Sequence, residues 1–123
     1  MALPQLNVYR HDHDDRALIT FAGEIDLTSA PLVHAVLAAC VCDGIRTTDV
    51  DLTAVTFCDV RGLNAFLAAS RLATESGTTL QLHYPPPILT RIIEITGSGF
   101  LLHQLHAARP SGSRVPFFSG GAP

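Results

Sequence analysis

Hydrophobic period, switching between two and about 3.6 residues along the chain, is what most restricts how this sequence can fold. Leu6 and Val8 alternate with polar neighbours, and Ala17–Ala22 reads as a strand ended by Gly23. The acidic stretch His11–Asp15 between them predicts a hairpin. Leu32, Val33, Val36, Leu37, Cys40 and Val41 then recur at helical spacing, with Thr28 or Ser29 as N-cap, Pro31 in the first turn and Gly44 just past the end. Thr48–Leu52 alternates again. A second helix is expected from about Arg61 or Gly62 to Ser76, with Leu63, Phe66, Leu67 and Ala73 on one side and Gly77 as its stop. Leu80 and Leu82 mark a further strand. Pro85–Pro87 opens a third helix, because proline is tolerated only in a first turn, and Ile88, Leu89, Ile92 and Ile93 form its apolar stripe up to Gly97. Phe100–Leu102 is expected to close the sheet or pack as a short edge segment. Strands alternating with helices give an α/β fold, a mixed β-sheet packed against α-helices.

At 123 residues, with 47% hydrophobic and 15% charged content, the chain is long and apolar enough for one domain and too short for several. The expected division is a folded domain over 1–106 and a mobile tail over 107–123, where Pro, Gly and Ser dominate and Phe117 and Phe118 are the obvious apolar anchors. All eight basic residues are Arg, the net charge is −3, and no Arg cluster lines up to neutralise successive phosphates, which argues against a nucleic-acid partner. No apolar run approaches the roughly 18 residues of a membrane span, and Met1–Pro4 does not open a signal peptide, so a cytoplasmic protein without membrane attachment is expected. Cys40, Cys42 and Cys58 make neither an even disulfide set nor a CxxC zinc pattern.

Few residues offer chemistry. Glu24 and Asp26 would share a strand face, but no nucleophile or third ligand accompanies them, so solvated carboxylates at a strand end are the simpler reading. His11 and His13, with Asp12, Asp14 and Asp15, lack a second half for a metal site, and His103 and His106 fare no better. Cys40 and Cys42 sit two apart on a helix and do not face one another. Cys58 adjoins a helix start, which favours thiolate, while Asp59 opposes it. Asp59 stands where a strand gives way to a helix and can cap it. Arg61 puts a cation in that first turn, a placement unfavourable by up to about 1 kcal/mol, which solvent and Asp59 screen unless a partner's acidic group compensates. Gly97–Gly99 follows a helix and is too short for a phosphate cradle, so no cofactor and no enzymatic activity are expected.

Three segments, in order, carry a family resemblance. Gly23–Leu27 with Thr28–Pro31 looks like G-E-L-D-x-x-x-A-P; Asp51–Phe57 with Asp59, Gly62 and Leu63 looks like D-L-x-x-V-x-F-x-D-x-x-G-L; Arg91–Gly97 resembles R-x-L-x-L-T-G. Together they resemble the STAS-domain anti-sigma factor antagonist family, over about Leu6 to Leu102. The resemblance implies a regulatory binding domain that sequesters an anti-sigma factor, of the ATPase-fold kinase type, and so promotes sigma-dependent transcription. It places the partner surface on Glu24, Asp26, Phe57, Cys58, Asp59, Val60, Arg61, Gly62 and Leu63. In that family the loop reads roughly F-x-D-S-S-G-L and its second serine accepts phosphate; here that position is Arg61 and the preceding one Val60, so the usual switch has no hydroxyl to modify. Thr53 and Thr56 precede the loop and match no acceptor position. The oligomeric state, monomer or homodimer, is left open. The rival readings are a STAS accessory subunit of a transporter ATPase and a small nucleotide-binding protein.

Overall fold

The computed structural model describes residues 6–102, and the expected tail falls outside them. Four strands, β1 (Leu6–His13), β2 (Arg16–Ile25), β3 (Thr47–Cys58) and β4 (Thr79–His83), form one mixed sheet in the order β1-β2-β3-β4. β1 and β2 pair antiparallel through the two-residue turn Asp14–Asp15, in which Asp14 takes φ 56°. A short polar side chain tolerates that left-handed conformation better than a branched one would. The β2–β3 and β3–β4 pairs are parallel, so each needs a crossover, supplied by α1 (Ala30–Cys42) and α2 (Val60–Glu75). α3 (Pro87–Thr96) and the short 3₁₀ helix η1 (Gly99–Leu102) complete the domain.

Alternation decides the two faces of the sheet. Ile19, Val50 and Leu82 stand in one hydrogen-bonded row, all buried, with Phe21, Leu52 and Leu80 beside them. Against this face pack Val33, Leu37 and Cys40 of α1 and Leu63, Phe66, Ala69 and Ala73 of α2. The Phe66 ring meets Phe21 edge to face, centroids 6.2 Å apart at 66°, a favoured aromatic geometry. The opposite face carries Asp49, Asp51, Gln81 and His83, all only partly exposed and all polar. That face needs no helix over it.

Several expectations need correcting. Gly23 does not end β2, which runs on to Ile25; with φ 123° it sits where the β2–β3 register shifts. β3 is more than twice as long as its Thr48–Leu52 alternation suggests. It takes one extra residue against β2 between Asp51 and Ala54 and another between Val55 and Phe57. These bulges change the phase, so that Val50, Leu52, Val55 and Cys58 are buried although they follow no single period. Polar side chains satisfy the displaced backbone: Asp51 Oδ1 accepts from Thr53 N at 2.9 Å and Thr53 Oγ1 at 2.6 Å, and Thr56 Oγ1 donates to Gly23 O at 3.3 Å.

On the helices, Leu32 and Ile88 are exposed rather than part of their stripes, and Val36, Leu67 and Ile92 are only partly buried. Single helices against a sheet bury a narrower arc than the periodic apolar residues cover. α2 starts at Val60, and α3 starts at Pro87 with Pro86 as its N-cap. Gly97, φ 73°, closes α3 in the left-handed conformation that glycine adopts without a Cβ penalty. Phe100–Leu102 is not a strand: it coils into η1, burying Leu101 and Leu102 and leaving Phe100 exposed.

Candidate functional site

Two neighbouring loops leave the sheet at the same end, because β2 and β3 are parallel and paired to their last residues, Glu24 with Phe57 and Ile25 with Cys58. Asp59 N donates to Ile25 O at 3.2 Å, holding the β2–α1 loop beside the β3–α2 turn. This end of the sheet is the candidate site. In open parallel sheets, binding surfaces gather at the carboxyl ends of strands.

Asp59 is the N-cap of α2. Its Oδ1 accepts from Arg61 N at 2.9 Å and Gly62 N at 3.2 Å, two amide groups that have no partner inside the helix. Its Oδ2 lies 3.5 Å from Arg61 Nη1, so the carboxylate that caps the helix also faces the cation that the first turn disfavours. The Arg61 side chain is 54% exposed, and an ion pair so solvated adds little stability.

Asp26 has a similar structural duty. Its Oδ1 accepts from Thr28 N at 3.0 Å and Ser29 N at 3.2 Å, while Ser29 Oγ accepts from Asp26 N and donates to Glu24 O. Ser29 is therefore the N-cap residue of α1 without capping through its side chain, because its hydroxyl braces the preceding loop. Glu24 is exposed on the last stretch of β2, whereas Asp26 lies beyond the strand and is half-buried. The two do not form a carboxylate pair on one strand face.

Cys58, Gly62 and Leu63 cannot contribute side chains to a surface. Cys58 is fully buried, and its thiol is pushed up to about 12 by burial and, secondarily, by Asp59, so the helix start yields no thiolate. Leu63 joins the core. At Gly62 the helix lies close against the sheet: a Cβ there would stand 2.6 Å from both Cys58 Sγ and Ile25 Cγ2. These three seat the turn, while Phe57, Val60 and Arg61 point outward.

Sequence reasoning missed Leu27. It is 65% exposed in the β2–α1 loop, and Phe57 and Val60 are exposed at the neighbouring end of β3 and start of α2. Its signal was present, an apolar residue after the last buried position of a strand and outside every periodic stripe. Elsewhere, among the described residues, no three His, Cys, Asp or Glu side chains are grouped to hold a metal ion. Cys40 is buried and Cys42 exposed. No helix there is long and apolar enough to cross a membrane.

A family model described as "Mlab, STAS domain" matches residues 10–103, and the chain belongs to the STAS-domain family. It is 26% identical over 98 residues to the anti-sigma-B factor antagonist of Staphylococcus epidermidis, covering 80% of this chain and 91% of that protein. The fold is shared with an anti-sigma factor antagonist from Mycobacterium paratuberculosis, TM-score 0.71 at 24% identity, over 89% of this chain and 100% of that one. It is shared also with the anti-sigma factor antagonist SpoIIAA in its unphosphorylated form, TM-score 0.62 at 16% identity, over 72% and 83% of the two chains.

Proposed function

From that membership we propose that this domain is an anti-sigma factor antagonist, a non-enzymatic cytoplasmic protein that binds an anti-sigma factor and so frees a sigma factor for transcription. The observation that carries the reading is the loop end of the sheet. Exposed Leu27, Phe57 and Val60 lie on the two loops there together with Glu24, Asp26, Asp59 and Arg61, the mixture of apolar and charged side chains from which protein interfaces are built. The relatives named as antagonists supply the kind of partner.

The partner is an anti-sigma factor of the kinase type, and binding is not switched by phosphate at the loop. Arg61 stands at the position matching the family's acceptor serine and has no hydroxyl, and its charge is opposite to that of phosphoserine. The nearby hydroxyls of Thr53 and Thr56 are engaged with Asp51 and Gly23. Control then rests on expression or on competition among partners. A homodimer is compatible with this arrangement, since the loops occupy one end of the sheet and, among the described residues, leave its β1 edge uncovered.

Calorimetric titration with kinase-type anti-sigma factors encoded in the same genome, with and without ATP, tests the proposal. Wild-type protein should stay bound in ATP, and Arg61→Ser should acquire ATP-dependent release. Phosphorylation of the wild type at Thr53 or Thr56, followed by equal release, would defeat the constitutive reading. Co-purification with a membrane ATPase instead would move the domain to a transporter accessory role, and calorimetric binding of ATP or GTP by the domain alone would favour a nucleotide-binding protein.

A further inference from the structure

The two edges of the sheet are unlike. β4 is five residues long, is followed by Tyr84 and three prolines, and has η1 packed against it. β1 is eight residues long, pairs with β2 in a register without shifts, and contains neither proline nor a bulge. Natural sheets usually blunt an edge of that length by one of those devices or by charge. The only cation of β1, Arg10, is turned away from that duty, held by Asp12 at 2.8 Å and by Asp43 at the end of α1 at 3.0 Å. Its charge is therefore matched within the chain.

Hairpin geometry says which backbone groups are left over. In a two-residue hairpin the closing pair, His13 and Arg16, exchanges hydrogen bonds, and the pattern alternates along the ladder. His11, Tyr9 and Asn7 thus face β2 with their N–H and C=O groups, while Asp12, Arg10, Val8 and Leu6 present theirs outward. From this we infer that the outer edge of β1 pairs antiparallel with β1 of a second copy of this chain, joining two sheets into one.

The second copy is the occupant because β1 is self-complementary about Tyr9. With Tyr9 on the two-fold axis, Leu6 falls opposite Asp12 and Val8 opposite Arg10 of the other copy, so all four outward residues of each strand meet outward residues of its mate. A two-fold contact requires this reciprocity. Tyr9 itself is 61% exposed on the face away from the helices, diagonal to exposed Leu18. On the axis the two tyrosines form a non-hydrogen-bonded pair, the closer kind, and cover apolar surface that the monomer leaves in water. The Glu24–Leu27 and Phe57–Arg61 loops stay accessible, so a dimer would present two partner sites. The contact is independent of what those sites bind.

Sedimentation equilibrium of the full chain across a wide concentration range is the test. Wild type should show a monomer–dimer equilibrium, and amide exchange at Val8 and Arg10 should slow as the dimer forms. Tyr9→Arg brings like charges together on the axis without touching the core and should weaken dimerisation at least about tenfold. Tyr9→Glu should do likewise, and mixing the two variants should restore a heterodimer. A wild-type monomer at every concentration, which would leave this edge to some other chain, overturns the proposal. So does a dimer indifferent to both Tyr9 substitutions.

Discussion

The two ends of the sheet use the same kinds of residue for opposite purposes. At the hairpin end nearly every charge has an opposite: Arg10 with Asp12 and Asp43, Arg46 with Asp15 at 3.6 Å, Arg16 with Asp49 at 2.7 Å. At the loop end Glu24, Asp26 and Asp59 meet one cation, Arg61, and two of the three carboxylates are committed to backbone N–H groups. Apolar Leu27, Phe57 and Val60 are exposed there as well. A charge-matched end has few unpaired side-chain charges to offer another molecule, whereas an end that exposes apolar side chains beside charged ones has more. The charged side chains of the hairpin end thus find their partners within the fold, and the loop end is a surface held in shape from beneath.

Gly62→Ala should break that support most. The new methyl meets Cys58 Sγ and Ile25 Cγ2 at 2.6 Å, and overpacking of this kind costs about 1–3 kcal/mol. Thermal unfolding would show the loss, and an unchanged Tm would mean that α2 shifts freely off the sheet.

Asp59→Ala should follow, at about 1 kcal/mol for a lost N-cap, but its effect on partner affinity should exceed its effect on stability. Chemical denaturation set beside calorimetry distinguishes the two. Equal affinity for mutant and wild type would remove Asp59 from the surface and leave it only a cap.

At the charge-matched end the expected effects are smaller and appear through pH. Burial pushes the Asp49 carboxyl up, but the His83 hydrogen bond at 2.9 Å and the charges of His83 and Arg16 prevail, and it lies below its ordinary value. A depressed carboxyl contributes stability in full above its unfolded pKa of about 3.9, and that contribution is lost as pH falls through the lower folded value. Asp49→Asn should therefore flatten the acid limb of the stability profile below about pH 4. Superimposable acid limbs would refute this. Arg10→Ala should cost less than about 1 kcal/mol, as exposed ion pairs do, and a larger loss by denaturant titration would mean that β1 depends on its clasp to Asp43.

Element type and order were legible in the sequence because periodicity records which face of a segment is buried. An apolar stripe needs only its own spacing, so Val33 and Leu37, Phe66 and Ala73, or Leu80 and Leu82 could be placed inside without coordinates, and Asp59 could be recognised as a cap from its place between strand and helix. The shape of the site was less legible. Nothing local in Gly23–Leu27 says that β2 runs on to Ile25, that Asp26 is taken up by Thr28 and Ser29, or that Leu27 is left in water.

What the sequence determined by itself was therefore the succession of strands and helices, most of the residues that stop them, and the presence of Arg61, a side chain without a hydroxyl, in the turn after Asp59. Tertiary structure decided the bulges of β3, the burial of Val55 and Cys58, the exposure of Leu32 and Ile88, and the close seat of Gly62. The division has one cause. Period and capping act within a few neighbouring residues, whereas a bulge, a helix's contact arc and the space left for a Cβ depend on which distant segment arrives alongside.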